Sequence, residues 1–164
     1  MRVSRSTVLT LVMVGLLAAA LVPSARETWE LGRIYVFSWQ FLEDIPRRLT
    51  GPGRLRFVLQ PTIASILGAR AGMADARAGR PGFLTCILTD AALRHEYLAT
   101  AWAAVRDLVK VGIILDVIAQ YLIFRNVHPG AALIVGPVLI SGPYALARDL
   151  AHRVTRARAP RPAA

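Results

Sequence analysis

Two apolar runs, residues 111–124 and 131–147, are separated only by Arg125-Asn126-Val127-His128-Pro129-Gly130. Each is built mostly of Val, Ile, Leu and Ala, and the Pro-Gly between them stops one helix and allows the next to turn back. Runs of this length and composition, joined this tightly, read as a transmembrane helical hairpin. The expected fold class is therefore all-α: an integral membrane helical bundle with a C-terminal hairpin.

Composition supports blocks of apolar sequence rather than a soluble core. Hydrophobic residues make up 55% of the 164 residues, and the mean hydropathy is +0.47. The formal charge of +10 raises nucleic acid as a partner, but the clustering of apolar residues into membrane-length blocks argues against it. Lys110 is the one lysine among 20 basic residues. Cys86 is the one cysteine, so no intrachain disulfide and no cysteine-based zinc site can form.

Along the chain, residues 8–22 form a first apolar block after Arg2 and Arg5, with the pattern of a secretory signal or an uncleaved anchor. The anchor is the better reading, because the remainder of the chain is itself membrane-like. Residues 26–45 carry Trp29, Tyr35, Phe37, Trp39 and Phe41, an aromatic segment suited to the headgroup level. A helix is expected there, since a lone strand would leave its backbone unpaired. After Pro46 comes a basic turn with Arg47, Arg48, Arg54 and Arg56 around Gly51-Pro52-Gly53. Residues 57–78 read as a short crossing or interfacial helix starting at Gln60-Pro61, with proline at the first helical position. Asp90 is a candidate N-cap, and no proline intervenes before Val127, so 90–125 reads as a long helix or a bent pair, answered by 131–150. A basic tail, 151–164, closes a single membrane domain spanning 1–164.

Orientation comes from the positive-inside rule. Arg148, Arg153, Arg156, Arg158 and Arg161 are expected to place the tail on the cytoplasmic side of the membrane. Three crossings result if residues 57–69 stay in the interface, which the raw count of basic residues favours, and four if they span, which Arg2 and Arg5 beside the first block favour; the balance tips slightly to four. The basic residues Arg47, Arg48, Arg54, Arg56, Arg153, Arg156 and Arg158 are then expected at anionic lipid headgroups.

One ionisable residue falls well inside an apolar run. A charged Asp116 there would cost about 2.5–3.5 kcal/mol unless compensated. Gly112, Asp116 and Gln120 share a helix face through steps of four. On the second arm, Gly136-Pro137 and Gly142-Pro143 free the carbonyls of Leu133 and Leu139, because proline has no amide hydrogen. Folding the hairpin about Val127–Pro129 sets Asp116 level with Leu139, Gln120 with Gly136, and Gly112 with Tyr144. A protonated Asp116 then donates to the Leu139 carbonyl, which makes the stripe a polar lock between helices. The competing reading is a proton or ion path along Asp116 and Gln120, as in a transporter or channel subunit.

Other chemistry is missing. His95-Glu96 lacks the second histidine of a zinc-protease motif, since Ala99 stands there. His128 and His152 are far apart in the chain, Gly51-Pro52-Gly53 lacks the Lys-Ser/Thr ending of a phosphate loop, and no nucleophile has a paired base. No catalytic residue, metal or cofactor is expected.

The segments Leu42-Glu43-Asp44-Ile45-Pro46-Arg47-Arg48-Leu49-Thr50-Gly51-Pro52-Gly53, Phe57-Val58-Leu59-Gln60-Pro61 and Ala74-Asp75-Ala76-Arg77-Ala78-Gly79-Arg80-Pro81, with the hairpin, resemble a group of small bacterial multi-spanning membrane proteins. No activity is assigned to that group. The resemblance covers residues 41–150 and implies membrane residence and a bacterial source. The expected role is accordingly structural or accessory, with the lipid bilayer, a second copy or another membrane protein as partner and no nucleic acid.

Overall fold

Helix signals recur along the whole chain, and a computed structural model, which describes residues 4–159, is all-helical apart from short links, with no strand among them. Seven α-helices occur in order among the described residues: α1 (Arg5–Leu31), α2 (Trp39–Glu43), α3 (Ile45–Thr50), α4 (Arg56–Arg77), α5 (Phe83–Thr89), α6 (Ala91–Phe124) and α7 (Pro129–Arg158). A single 3-10 turn, Tyr35–Phe37, lies between α1 and α2. Arg2, Arg161 and the end of the basic tail lie outside the described residues.

Local chemistry accounts for most of the boundaries. Ser4 caps α1, its side chain accepting from the Thr7 amide at 3.1 Å. Pro23 removes one backbone bond without ending the helix, which continues past the apolar block to Gly32, left-handed at φ 63°. Asp90 caps α6 as expected, Oδ1 accepting from the Ala92 and Leu93 amides at 3.0 and 3.1 Å. Two starts differ from expectation. The basic stretch after Pro46 is not all turn, since α3 includes Arg47 and Arg48, with proline in its first turn where its missing amide does no harm. Helix α4 begins at Arg56 rather than at Gln60-Pro61, because the preceding turn already supplies bonds such as Leu59 N to Leu55 O at 2.8 Å.

Contacts divide the chain into two compact units. Unit 1 holds the described residues through Gln60 together with Asp107–Leu139; unit 2 holds Pro61–Arg106 and the described residues from Ile140 onward.

In unit 1, α1 and α6 run parallel. Near the start of α1, Ser6 Oγ donates to Asp107 Oδ1 at 2.7 Å and Lys110 Nζ donates to Ser6 Oγ at 2.7 Å. Near its end, Glu27 accepts from Asn126 Nδ2 and lies 3.0 Å from His128 Nε2. Both contact pairs advance together in sequence, which fixes the sense. Helix α7 turns back after a four-residue link, and its Gly136 meets Gly112 and Ile113. A Cβ on Gly136 would lie 2.9 Å from the Ile113 nitrogen and 3.0 Å from the Gly112 carbonyl carbon. The hairpin register thus differs from that expected, with Gly112 facing Gly136 instead of Tyr144. Two glycines set the point of closest approach because neither backbone is held off by a side chain.

In unit 2, α4 and α7 also run parallel. Gly68 lies against the Tyr144 carbonyl and Gly72 against the Arg148 carbonyl, each so closely that a Cβ would overlap the oxygen. This small-x-x-x-small face packs α4 onto α7 through backbone contact. Gly142 plays no such part, since a Cβ there meets nothing within 4 Å. Helix α7 passes through Pro137 and Pro143 as one helix.

Candidate functional site

Helix periodicity places Asp116 and Gln120 on one face of α6, and the two are joined: Gln120 Nε2 donates to Asp116 Oδ2 at 2.7 Å. Both are buried, at 1% and 0% exposure. The remaining partners correct the expected lock. Asp116 does not donate to the Leu139 carbonyl. It pairs instead with two arginines, accepting from Arg48 Nη1 at 3.4 Å from both oxygens and forming an ion pair with Arg56 Nη2, 2.6 Å from Oδ1 but off hydrogen-bond alignment. Gln120 reaches the start of α7 through His128, not Gly136: Oε1 accepts from the His128 amide at 2.8 Å, and Nε2 lies 3.3 Å from its carbonyl oxygen.

Arg48 and Arg56 are therefore not headgroup residues. Their side chains are 2% and 3% exposed, because the interior holds a carboxylate that needs a counter-charge. Arg56 Nη1 also donates to the Leu115 carbonyl at 3.1 Å, and its guanidinium lies 4.7 Å from the Phe57 ring centre. Arg48 sits among the rings of Phe124, Phe41 and Tyr35, at 5.3, 5.7 and 5.9 Å.

The cluster continues outward. Arg48 Nη2 donates to the Tyr35 hydroxyl at 3.2 Å, and that hydroxyl donates to Asp44 Oδ2 at 2.8 Å. Tyr35, expected in the aromatic belt, is buried as this relay, whereas Trp29, Phe37 and Trp39 of the same segment are exposed. Burial pushes the Tyr35 hydroxyl up to about 12, with Arg48 opposing and Asp44 reinforcing the shift. It therefore remains a donor. The Tyr35 ring stacks on His128 at 3.6 Å between centres. Burial lowers the His128 pKa against the pull of Glu27, which agrees with a buried Nδ1 that has no partner to receive a second proton. Two buried arginines thus face two buried aspartates, Asp116 and Asp44.

Unit 2 contains a simpler centre. Arg148 Nε donates to Asp75 Oδ2 at 2.8 Å, and Nη2 lies 2.8 Å from the same oxygen. Its guanidinium lies 4.5 Å from the Phe83 ring centre and 5.2 Å from that of Tyr97. Asp149 Oδ1 accepts from the Leu84 amide at 3.1 Å, holding the start of α5, while Arg153 Nε donates to its Oδ2 at 2.6 Å. Tyr144, expected opposite Gly112, belongs here and accepts from Arg148 Nη1 at 3.4 Å. Arg47, Arg54, Arg153, Arg156 and Arg158 are exposed.

These arrangements neutralise buried charge and tie helices together. A carboxylate paired with two guanidiniums and hydrogen-bonded to an amide is arranged as an ionic clasp between helices. No group of three or more metal-ligating side chains exists among the described residues. Sequence reasoning finds Asp116 and Gln120 but misses Arg48, Arg56, Asp75 and Arg148 as partners. The Gly68-x-x-x-Gly72 spacing is the signal in the sequence that points to close packing of α4. No family model matches the chain, and neither does any curated protein or solved structure.

Proposed function

We propose that this is a non-enzymatic integral protein of the bacterial cytoplasmic membrane with a structural or accessory role. In this reading four helices, α1, α4, α6 and α7, cross the bilayer, both termini face the cytoplasm, and the exposed arginines attract anionic headgroups. The observation that carries it is an inverted distribution of polarity. Val22, Leu146 and Leu150 are 76%, 65% and 64% exposed, while Asp116 and Arg148 are 1% and 4% exposed. Water favours the opposite arrangement, and extensive exposed apolar surface marks a membrane or partner.

Two further observations support it. Helices Arg5–Leu31 and Pro129–Arg158 are long and apolar enough to cross a membrane, and only 6% of the apolar window of the first is buried. The parallel pairs α1 with α6 and α4 with α7 match the alternation of a four-crossing chain. A spanning α4 requires exposed Arg70 to snorkel along its stem. The alternative, a transporter or channel subunit using Asp116, fits less well with a carboxylate already engaged by two guanidiniums.

Fractionation and labelling test the proposal. The chain should resist carbonate extraction from membranes. In a Cys86→Ser background, Thr50→Cys should react with an impermeant thiol reagent in intact cells. Recovery in the soluble fraction would overturn membrane residence, and labelling only after permeabilisation would overturn the four-crossing topology.

A further inference from the structure

Within unit 2 the parallel faces of α4 and α7 leave a cleft of about 820 Å³. Its walls are apolar, with Ile66 and Met73 on α4 and Leu150 and Val154 on α7, and it ends at Arg77 and Arg158. Because α4 and α7 run in the same sense, both arginines lie toward the same end. Each is exposed, and neither has an ion pair or hydrogen bond among the described residues, unlike Arg148 and Arg153 nearby in the chain. No acidic side chain is among the described residues lining the cleft.

We propose that this cleft seats one anionic phospholipid of the cytoplasmic leaflet, its acyl chain along the apolar walls and its phosphate between Arg77 and Arg158. The inference rests on the membrane reading above. Charge selects the occupant: two unpaired guanidiniums at one end of an apolar trough complement an amphiphile with an anionic head. Length agrees. From Ile66 to Arg77 the helix rises about 16 Å, close to half of a bilayer core about 30 Å thick. A zwitterionic lipid offers the same tail but places a cation beside the arginines.

Native mass spectrometry of the full chain in detergent tests this, with phosphatidylglycerol, phosphatidylcholine and inorganic phosphate as probes. One phosphatidylglycerol per chain should bind in preference to phosphatidylcholine, and phosphate alone should not compete. Arg77→Gln with Arg158→Gln should weaken phosphatidylglycerol roughly thirtyfold, about fivefold per arginine. A charge-matched control outside the cleft, Arg54→Gln with Arg156→Gln, should change it by less than about twofold. Met73→Trp, which fills the trough and keeps the charges, should also displace the lipid. Equal binding of both lipids, full competition by phosphate, an undiminished lipid count in Met73→Trp, or a dimer that occupies the cleft in place of lipid would each overturn the proposal. Failure of these tests on a carbonate-resistant protein removes the lipid site alone, whereas a chain recovered in the soluble fraction removes the membrane reading as well.

Discussion

Both units bury arginine against aspartate, but they satisfy the pair differently. In unit 2 a single Arg148 binds a single Asp75, and aromatic rings cover the guanidinium. In unit 1 two arginines converge on Asp116, and the remainder of the balance reaches Asp44 through a tyrosine hydroxyl. Buried side-chain atoms without a protein partner occur here, at Arg48 Nε, Arg56 Nε, both amide atoms of Gln60 and His128 Nδ1. Unit 2 is thus a closed pair and unit 1 an open network. The lesson is that charge balance alone does not make a buried site comfortable; donors and acceptors must also be matched one by one.

Removing a carboxylate should expose that contrast most strongly. Asp116→Asn leaves two buried guanidiniums without their counter-ion and should destabilise by about 3–5 kcal/mol. Asp75→Asn should cost less, because the rings still stabilise the one cation it leaves. Denaturant melts of both variants in one detergent would rank them, and equal losses would break the comparison. Replacing Arg48, Arg56 and Asp116 together by Leu, with Asp44→Asn, removes the charges as a set and should recover most of the stability lost in Asp116→Asn.

Helix packing gives the next effect. Gly72→Ala drives a methyl into the Arg148 carbonyl and should lower stability by about 1–3 kcal/mol. Gly142→Ala, which meets nothing within 4 Å, should be neutral or stabilising. Matching Tm values for the two would show that close glycine packing does not hold α4 to α7.

A smaller gain is expected at the open network. Gln60→Leu removes a buried amide with no partner and should raise stability by about 1 kcal/mol, read as a higher Tm. A loss instead would mean that the amide has a partner, such as bound water.

The smallest effect is a pH slope. Burial depresses the folded-state pKa of His128 below the ordinary 6.5. Its neutral form is therefore the one favoured by folding, so its contribution is complete above about 6.5 and is lost as pH falls from there through the folded value. His128→Phe should flatten that part of the stability profile and keep the stack on Tyr35. An unchanged slope would assign it to another group.

Much of the helical pattern was legible because its rules are local. Apolar periodicity marked the hairpin arms, the Asp90 side chain announced the start of α6, and a step of four put Asp116 beside Gln120. The same local reading placed Arg48 and Arg56 at the surface, since an arginine near a glycine-rich turn looks solvated until something buries it. It also took Tyr35 as one more belt aromatic, though its hydroxyl proves to be the link between Arg48 and Asp44.

What neighbouring residues decide, then, is where helices start, where they stop and which side chains share a face, because backbone hydrogen bonds and the helical repeat act over a few positions. The tertiary structure decides which charges meet. Arg48 lies 68 positions from Asp116, and Asp75 lies 73 from Arg148. No spacing rule reaches that far, and only the packing of helices, set by contacts such as Gly136 on Gly112 and Gly72 on α7, brings each buried cation to its carboxylate.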